Sequence, residues 1–145
     1  MIQEKKVIVF VSHSSEDYDD VMKWVNLIET KGLKCWISER DLSDDCSSWP
    51  KEIMNALFNS DSVLLYLTRS SADSGQVENE ISNASNKGMN VVPLIAEDFE
   101  IPDRLKYHIG KYEFIYSYQR DINDVLNKSL YKRLLKNFNA ERKKF

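Results

Sequence analysis

Glu80 is the side chain in this sequence best placed to do chemistry. Around it, Val77, Ile81 and Ala84 recur at helical spacing. With Val77 at 0° and about 100° per residue, Ile81 falls at about 40°, Ala84 at about 340° and Glu80 at about 300°. Glu80 thus flanks the buried stripe within two turns of the helix start, Gln76 lies one turn earlier on the same side, and Glu78 takes the opposite flank. A carboxylate held against apolar surface is a candidate for charge-stabilising or proton-transfer chemistry, because partial burial shifts its pKa. A boundary glutamate whose head reaches solvent fits the same spacing. The run Ser12-His13-Ser14-Ser15-Glu16-Asp17 follows an apolar strand-like segment and opens a helix. Its hydroxyls and backbone N–H groups could receive a phosphate or a ribose. Plain N-capping by Ser14 or Ser15 accounts for it equally well. Neither GxGxxG nor GxxxxGK[ST] occurs, which excludes a Rossmann fingerprint and a P-loop. Two histidines, His13 and His108, and two cysteines, Cys35 and Cys46, show no zinc spacing and no recognisable Cys–His pair. The acidic stretch 41–45 reads as a solvated loop and not as a metal site, so no metal is expected.

These residues must be carried by something, and the chain supplies a repeating unit of apolar run, polar loop and amphipathic segment. Residues 7–11 form a β-branched run suited to a strand covered on both faces. Val21, Trp24, Val25 and Ile28 follow at i, i+3, i+4, i+7, with acidic residues at the helix start and Gly32 at its end. The second unit is a strand at 33–37, an acidic loop at 38–48, and a helix through Ile53, Met54 and Leu57 with Pro50 in its first turn. The third is a strand at 62–67, a loop at 68–74 and the Glu80 helix, closed by Lys87-Gly88. A fourth strand occupies 91–95, where Pro93 is expected at the strand's end or on an edge. Phe114-Ile115-Tyr116 suits a short fifth strand, and residues 121–138 a closing helix through Ile122, Val125, Leu126, Ser129, Leu130, Arg133 and Leu134. Residues 96–112 carry no readable pattern.

Alternating strands and helices call for an α/β fold, a parallel sheet with helices on both faces and right-handed crossovers. Five strands suit the flavodoxin-like order 2-1-3-4-5. Ligands in such sheets bind beyond the carboxyl ends of the strands at the switch point, between the first and third strands. The expected walls are therefore the loops at 12–16 and 68–74, with the long 38–48 loop beside them. A phosphoacceptor receiver of this fold wants an aspartate after the third strand, where Thr68-Arg69 stands.

A length of 145 residues suits one domain, and 42% hydrophobic with 30% charged residues excludes wholesale disorder. A net charge of −3 gives no global basic field, so no nucleic-acid partner is expected. Lys132, Arg133, Lys136, Arg142, Lys143 and Lys144 form a basic tail that reads as a solvated helix end or a junction to a partner domain. The longest apolar runs are far short of the roughly 20 residues of a membrane helix. The charged start carries no leader pattern, and two cysteines suit a reducing cytosol, so a cytoplasmic, membrane-free domain is expected.

In order, these segments resemble a TIR (Toll/interleukin-1 receptor/resistance) domain of the bacterial branch. Val9-Phe10-Val11-Ser12-His13-Ser14-Ser15-Glu16-Asp17 is similar to the family's first-strand motif. Gly32-Leu33-Lys34-Cys35-Trp36-Ile37 with Arg40-Asp41-Leu42 is similar to its second strand and the start of the BB loop. Trp49, Ile53, Ala56 and Ser60 match the helix that follows. Ser74, Val77, Glu80 and Ile81 match the helix carrying the catalytic glutamate of NAD-cleaving members, and Val91-Val92-Pro93-Leu94 the fourth strand. The match runs over about 6–118, with the closing helix at about 121–138 and a basic tail to 145 completing a single domain. Two departures stand out: the BB loop lacks Pro-Gly, and Gln76 occupies a position that is aromatic in many active members.

The resemblance implies an NAD+ glycohydrolase or cyclase of antiphage immunity, with NAD+ as substrate and no resident cofactor. Glu80 would be catalytic, and Ser12, His13, Ser14, Trp36, Arg40, Ser74 and Gln76 would contact substrate. Arg40 fits either a clamp on the pyrophosphate or a structural ion pair. Other TIR protomers are the implied partners, with a separate sensor or effector protein as trigger. The alternative is a non-catalytic adaptor that acts by TIR–TIR assembly alone.

Overall fold

The computed structural model describes residues 6–44 and 48–136. Five strands, β1 (Ile8–Ser12), β2 (Lys34–Trp36), β3 (Ser62–Leu67), β4 (Asn90–Ile95) and β5 (Ile115–Tyr116), form one parallel sheet in the order β2-β1-β3-β4-β5. The central strands β3 and β4 are buried along their whole length, which is why their sequences are apolar without alternation. Alternation still sorts the two faces. Val9, Val11, Leu64, Tyr66, Val92 and Leu94 point toward α1 (Tyr18–Thr30) and the closing helical segment. Phe10, Val63, Leu65, Leu67, Val91 and Ile95 point the other way. They meet α3 (Trp49–Phe58), α5 (Gly75–Asn86) and α6 (Asp103–Ile109). Each fully buried leucine or isoleucine in these layers contributes about 1.5–3 kcal/mol.

Gly32 and Gly88 end α1 and α5 at φ of 90° and 69°, a region where a Cβ is strained. Two short helices occupy stretches that the sequence reads as loop: α2 (Ser38–Asp41) after β2, and α4 (Arg69–Ala72) after β3. Thr68 and Ser71 cap α4 reciprocally, a local bond pattern that hydrophobic periodicity does not report. Similarly, α6 lies in the patternless stretch 96–112, and its seven residues bury just Leu105 and Ile109.

Pro93 requires a correction, since it lies mid-way along interior β4, opposite Leu65. The Ala96 N–H donates to Leu67 and the Ile95 carbonyl accepts from Ser117. By alternation the Pro93 nitrogen faces β5, whose pairing begins one residue later at Leu94. The missing donor therefore costs no ladder bond.

The closing segment runs through α7 (Ile122–Val125), a π-helical turn (Leu126–Leu130) and α8 (Tyr131–Leu134). The π-turn brings Leu126, Leu130 and Leu134 into the core and leaves Ser129 and Arg133 partly exposed. The end of the expected helix at 137–138 and the tail to 145 lie outside the described residues. Among the described residues no helix is long and apolar enough to cross a membrane.

Candidate active site

Ser12 ends β1 on the same face as Phe10, the face covered by α5. Glu80 comes down from α5 on the flank that the helical wheel assigns it, and Ser12 Oγ donates to Glu80 Oε1 at 2.7 Å. Gln76, one turn earlier, donates from Nε2 to Glu80 Oε2 at 3.3 Å. The carboxylate is 5% exposed, yet it reaches a cleft of about 800 Å³ at the carboxyl edge of the sheet. Burial pushes its pKa up, and the bonds from Ser12 and Gln76 act in the opposite direction.

Trp36 forms a wall of the cleft by pairing with Phe10 across β1 and β2, rings 5.3 Å apart and 11° from parallel. Trp49, at the start of α3 and 60% exposed, and Met54 add further apolar surface. His13 stands at the rim with Nδ1 3.2 Å from the Val11 carbonyl and Nε2 2.8 Å from Glu39 Oε2. The Val11 carbonyl can only accept, so the short contact at Nδ1 is a hydrogen bond donated by the ring. Burial works against charge on Glu39, but the bonds from His13 and Ser38 outweigh it and hold its pKa below the ordinary value.

An enclosed carboxylate beside a flat aromatic wall is a constellation for stabilising positive charge on a ring. The family model for the TIR domain matches residues 9–130. This chain belongs to the TIR domain family. Among solved structures, the TIR domain of the Toll-related receptor TRR-2 from Hydra magnipapillata superposes with a TM-score of 0.73 at 17% identity, over 87% of this chain and 96% of that one. A TIR-STING receptor from C. gigas, solved with 2′,3′-cGAMP, gives a TM-score of 0.65 at 17% identity, over 88% of this chain and 40% of that chain. The Clostridium botulinum CMP N-glycosidase BcmB gives 0.60 at 17% identity, over 86% and 98%. At such identities the likeness is one of fold. No curated protein matches the chain in sequence at a significant level.

Within this TIR domain, His13, Ser14, Trp36, Ser74, Gln76 and Glu80 all line the cleft. Ser74 also caps α5, its Oγ accepting from the Val77 N–H at 3.2 Å, and Ser14 Oγ accepts from the Glu16 N–H. Ser12 requires a correction in its placement: it is fully buried, it is not among the residues that line the cleft, and its hydroxyl donates to the Glu80 carboxylate. Arg40 is not brought to the cleft. Its guanidinium forks onto Glu29 at 2.9 and 3.1 Å, bonds Asp41, and donates to the Cys35 carbonyl at 2.8 Å. Of the two roles open to Arg40, the structural ion pair is the one this geometry realises.

The cleft also lies to one side of the expected crevice. Thr68 Oγ1 donates to Asp17 at 2.6 Å and Ser70 Oγ to Glu16 at 2.7 Å, which ties the loops after β1 and β3 together. Residues 68–73 are consequently absent from the lining, and α2 with the segment to Asp44 takes their place. Leu42, Asp44 and Trp49, named from the sequence without a site role, also line the cleft, and so do Glu39 and Asn79, which the sequence reading does not single out. Asn79 was recoverable, since at about 200° on the wheel it stands on the same side as Gln76 and Glu80. Glu39 was not, because only the fold of α2 against β1 brings it to His13.

Proposed function

We propose that this TIR domain cleaves the nicotinamide–ribose bond of NAD+, with Glu80 as the catalytic carboxylate. One observation carries the reading: an almost fully buried glutamate, oriented by two neutral donors, opens onto an aromatic-walled cleft large enough for a nucleotide. Nicotinamide leaves a cationic ring as a neutral molecule, so the general acid of ordinary glycosidases is unnecessary. What the site must supply is a negative charge beside the oxocarbenium-like ribose, and a preorganised carboxylate does so without reorganisation at the moment of reaction. Trp36 offers a stacking surface for the departing ring. The ribosyl cation is then taken by water, giving ADP-ribose, or by an adenine nitrogen, giving a cyclic product.

Membership of the TIR family supports this reading, and so does the shared fold of an enzyme named as an N-glycosidase. Antiphage signalling is the proposed context, and further copies of this chain are the proposed partners. The test is chromatography of NAD+ incubated at high protein concentration with wild type, Glu80→Gln and Glu78→Gln. Nicotinamide release by wild type and Glu78→Gln, lost in Glu80→Gln, is the expected result. Equal release by all three variants would remove Glu80 from the mechanism, and an inert wild type would leave the adaptor role.

A further inference from the structure

The charges around the cleft bear on which substrate it prefers. No lysine or arginine is among the described residues that line it. Arg40, next in sequence to the lining residue Glu39, is spent on Glu29, Asp41 and the Cys35 carbonyl. Among the described residues three carboxylates line the cleft: Glu39, Asp44 and Glu80. Glu39 is engaged by His13, with Oε2 2.8 Å from Nε2. Of the other two, Glu80 is buried and Asp44 is exposed. The positive end of α5 contributes a partial charge of about half a unit. Its capping serine, Ser74, is already engaged by the Val77 N–H.

Such a cleft attracts a cation and repels phosphate. Resting on the reading that it cleaves N-ribosyl bonds, we infer that this TIR domain recognises the cationic nicotinamide riboside moiety itself, and that phosphate on the ribose adds nothing favourable to binding. The class of substrate is an N-ribosyl pyridinium, with or without a 5′ phosphate or diphosphate that stays in solvent. In hydrolysis the C1′–N bond breaks with its electron pair going to the pyridine nitrogen, which becomes neutral. Water adds at C1′ and releases one proton, so the products are nicotinamide, the free sugar or its 5′ derivative, and H+. A bound cation also favours ionised Glu80, the form that stabilises the transition state.

The test compares kcat/KM for nicotinamide riboside, nicotinamide mononucleotide and NAD+ by nicotinamide release, at one protein concentration and at low and high salt. The expected result is that the riboside matches or exceeds NAD+ and exceeds the mononucleotide roughly fivefold at low salt, with the gap closing at high salt. Asp44→Lys, at an exposed position, should reverse the order of riboside and mononucleotide. NAD+ cleaved while the riboside is left intact would overturn this inference and leave NAD+ cleavage by Glu80 standing. Unchanged preference in Asp44→Lys would overturn it as well. Failure to cleave any of the three would remove the N-ribosyl reading and this inference with it.

Discussion

Replacing Ser12 with alanine removes the hydroxyl that donates to Glu80 Oε1 from a fully buried position. A hydrogen bond to a charged group is worth about 1.5–3 kcal/mol. If it is realised on the carboxylate that faces the oxocarbenium ion, its loss lowers kcat/KM between roughly ten- and 150-fold. The pH profile separates this role from a packing role. Burial already raises the Glu80 pKa and Ser12 lowers it, so without Ser12 the carboxyl titrates at higher pH. The acidic limb of kcat/KM for NAD+, where activity appears as Glu80 ionises, should therefore move to higher pH in Ser12→Ala. Nicotinamide release measured across the pH range, with circular dichroism to check folding, gives both readouts. A folded variant with an unmoved acidic limb would refute the assignment of Ser12 as the residue that holds the charge on Glu80.

Two further outcomes follow from the same geometry. Because the folded-state pKa of Glu80 is raised, its contribution to stability is fully present below the ordinary carboxyl value of 4.5 and is lost as pH rises through the folded value. Glu80→Gln should therefore be more stable than wild type at pH 8 in urea denaturation, with the difference disappearing toward acid pH; a wild type that is the more stable at pH 8 would contradict the burial argument. Arg40→Met should cost about 1–2 kcal/mol, a range set by its fork onto Glu29 and discounted because the side chain is one-third exposed, while leaving the KM for NAD+ unchanged. A raised KM with intact stability would mean that Arg40 does reach the substrate.

Much of the fold was legible because it rests on short-range periodicity. The continuous apolar runs of β1, β3 and β4 reflect coverage on both faces, and the strand order follows from alternating strands and helices joined by right-handed crossovers. Glu80 was legible for the same reason, since its angle from Val77 depends on helix geometry alone. The helices α2, α4 and α6 were not, because such short helices bury little and leave no long apolar stripe, and of the three only α4 carries a side-chain cap.

The sequence by itself therefore determined that a carboxylate would sit beside buried surface on a helix above a parallel sheet. Tertiary structure alone decided what that carboxylate meets. Ser12 and Glu80 are 68 residues apart, and their bond depends on the parity of β1, the depth of α5 and the packing of the layer between them. Arg40 is the plainest case. Its charge suits an anion or a carboxylate equally, and the choice went to Glu29 because α1 ends beside β2 and presents two oxygens to the fork before any ligand could. Likewise Thr68 and Ser70 closed the expected crevice by bonding Asp17 and Glu16, and moved the opening toward Trp36 and α2. Residue types set which bonds are available, and the packing of distant elements sets which of them form.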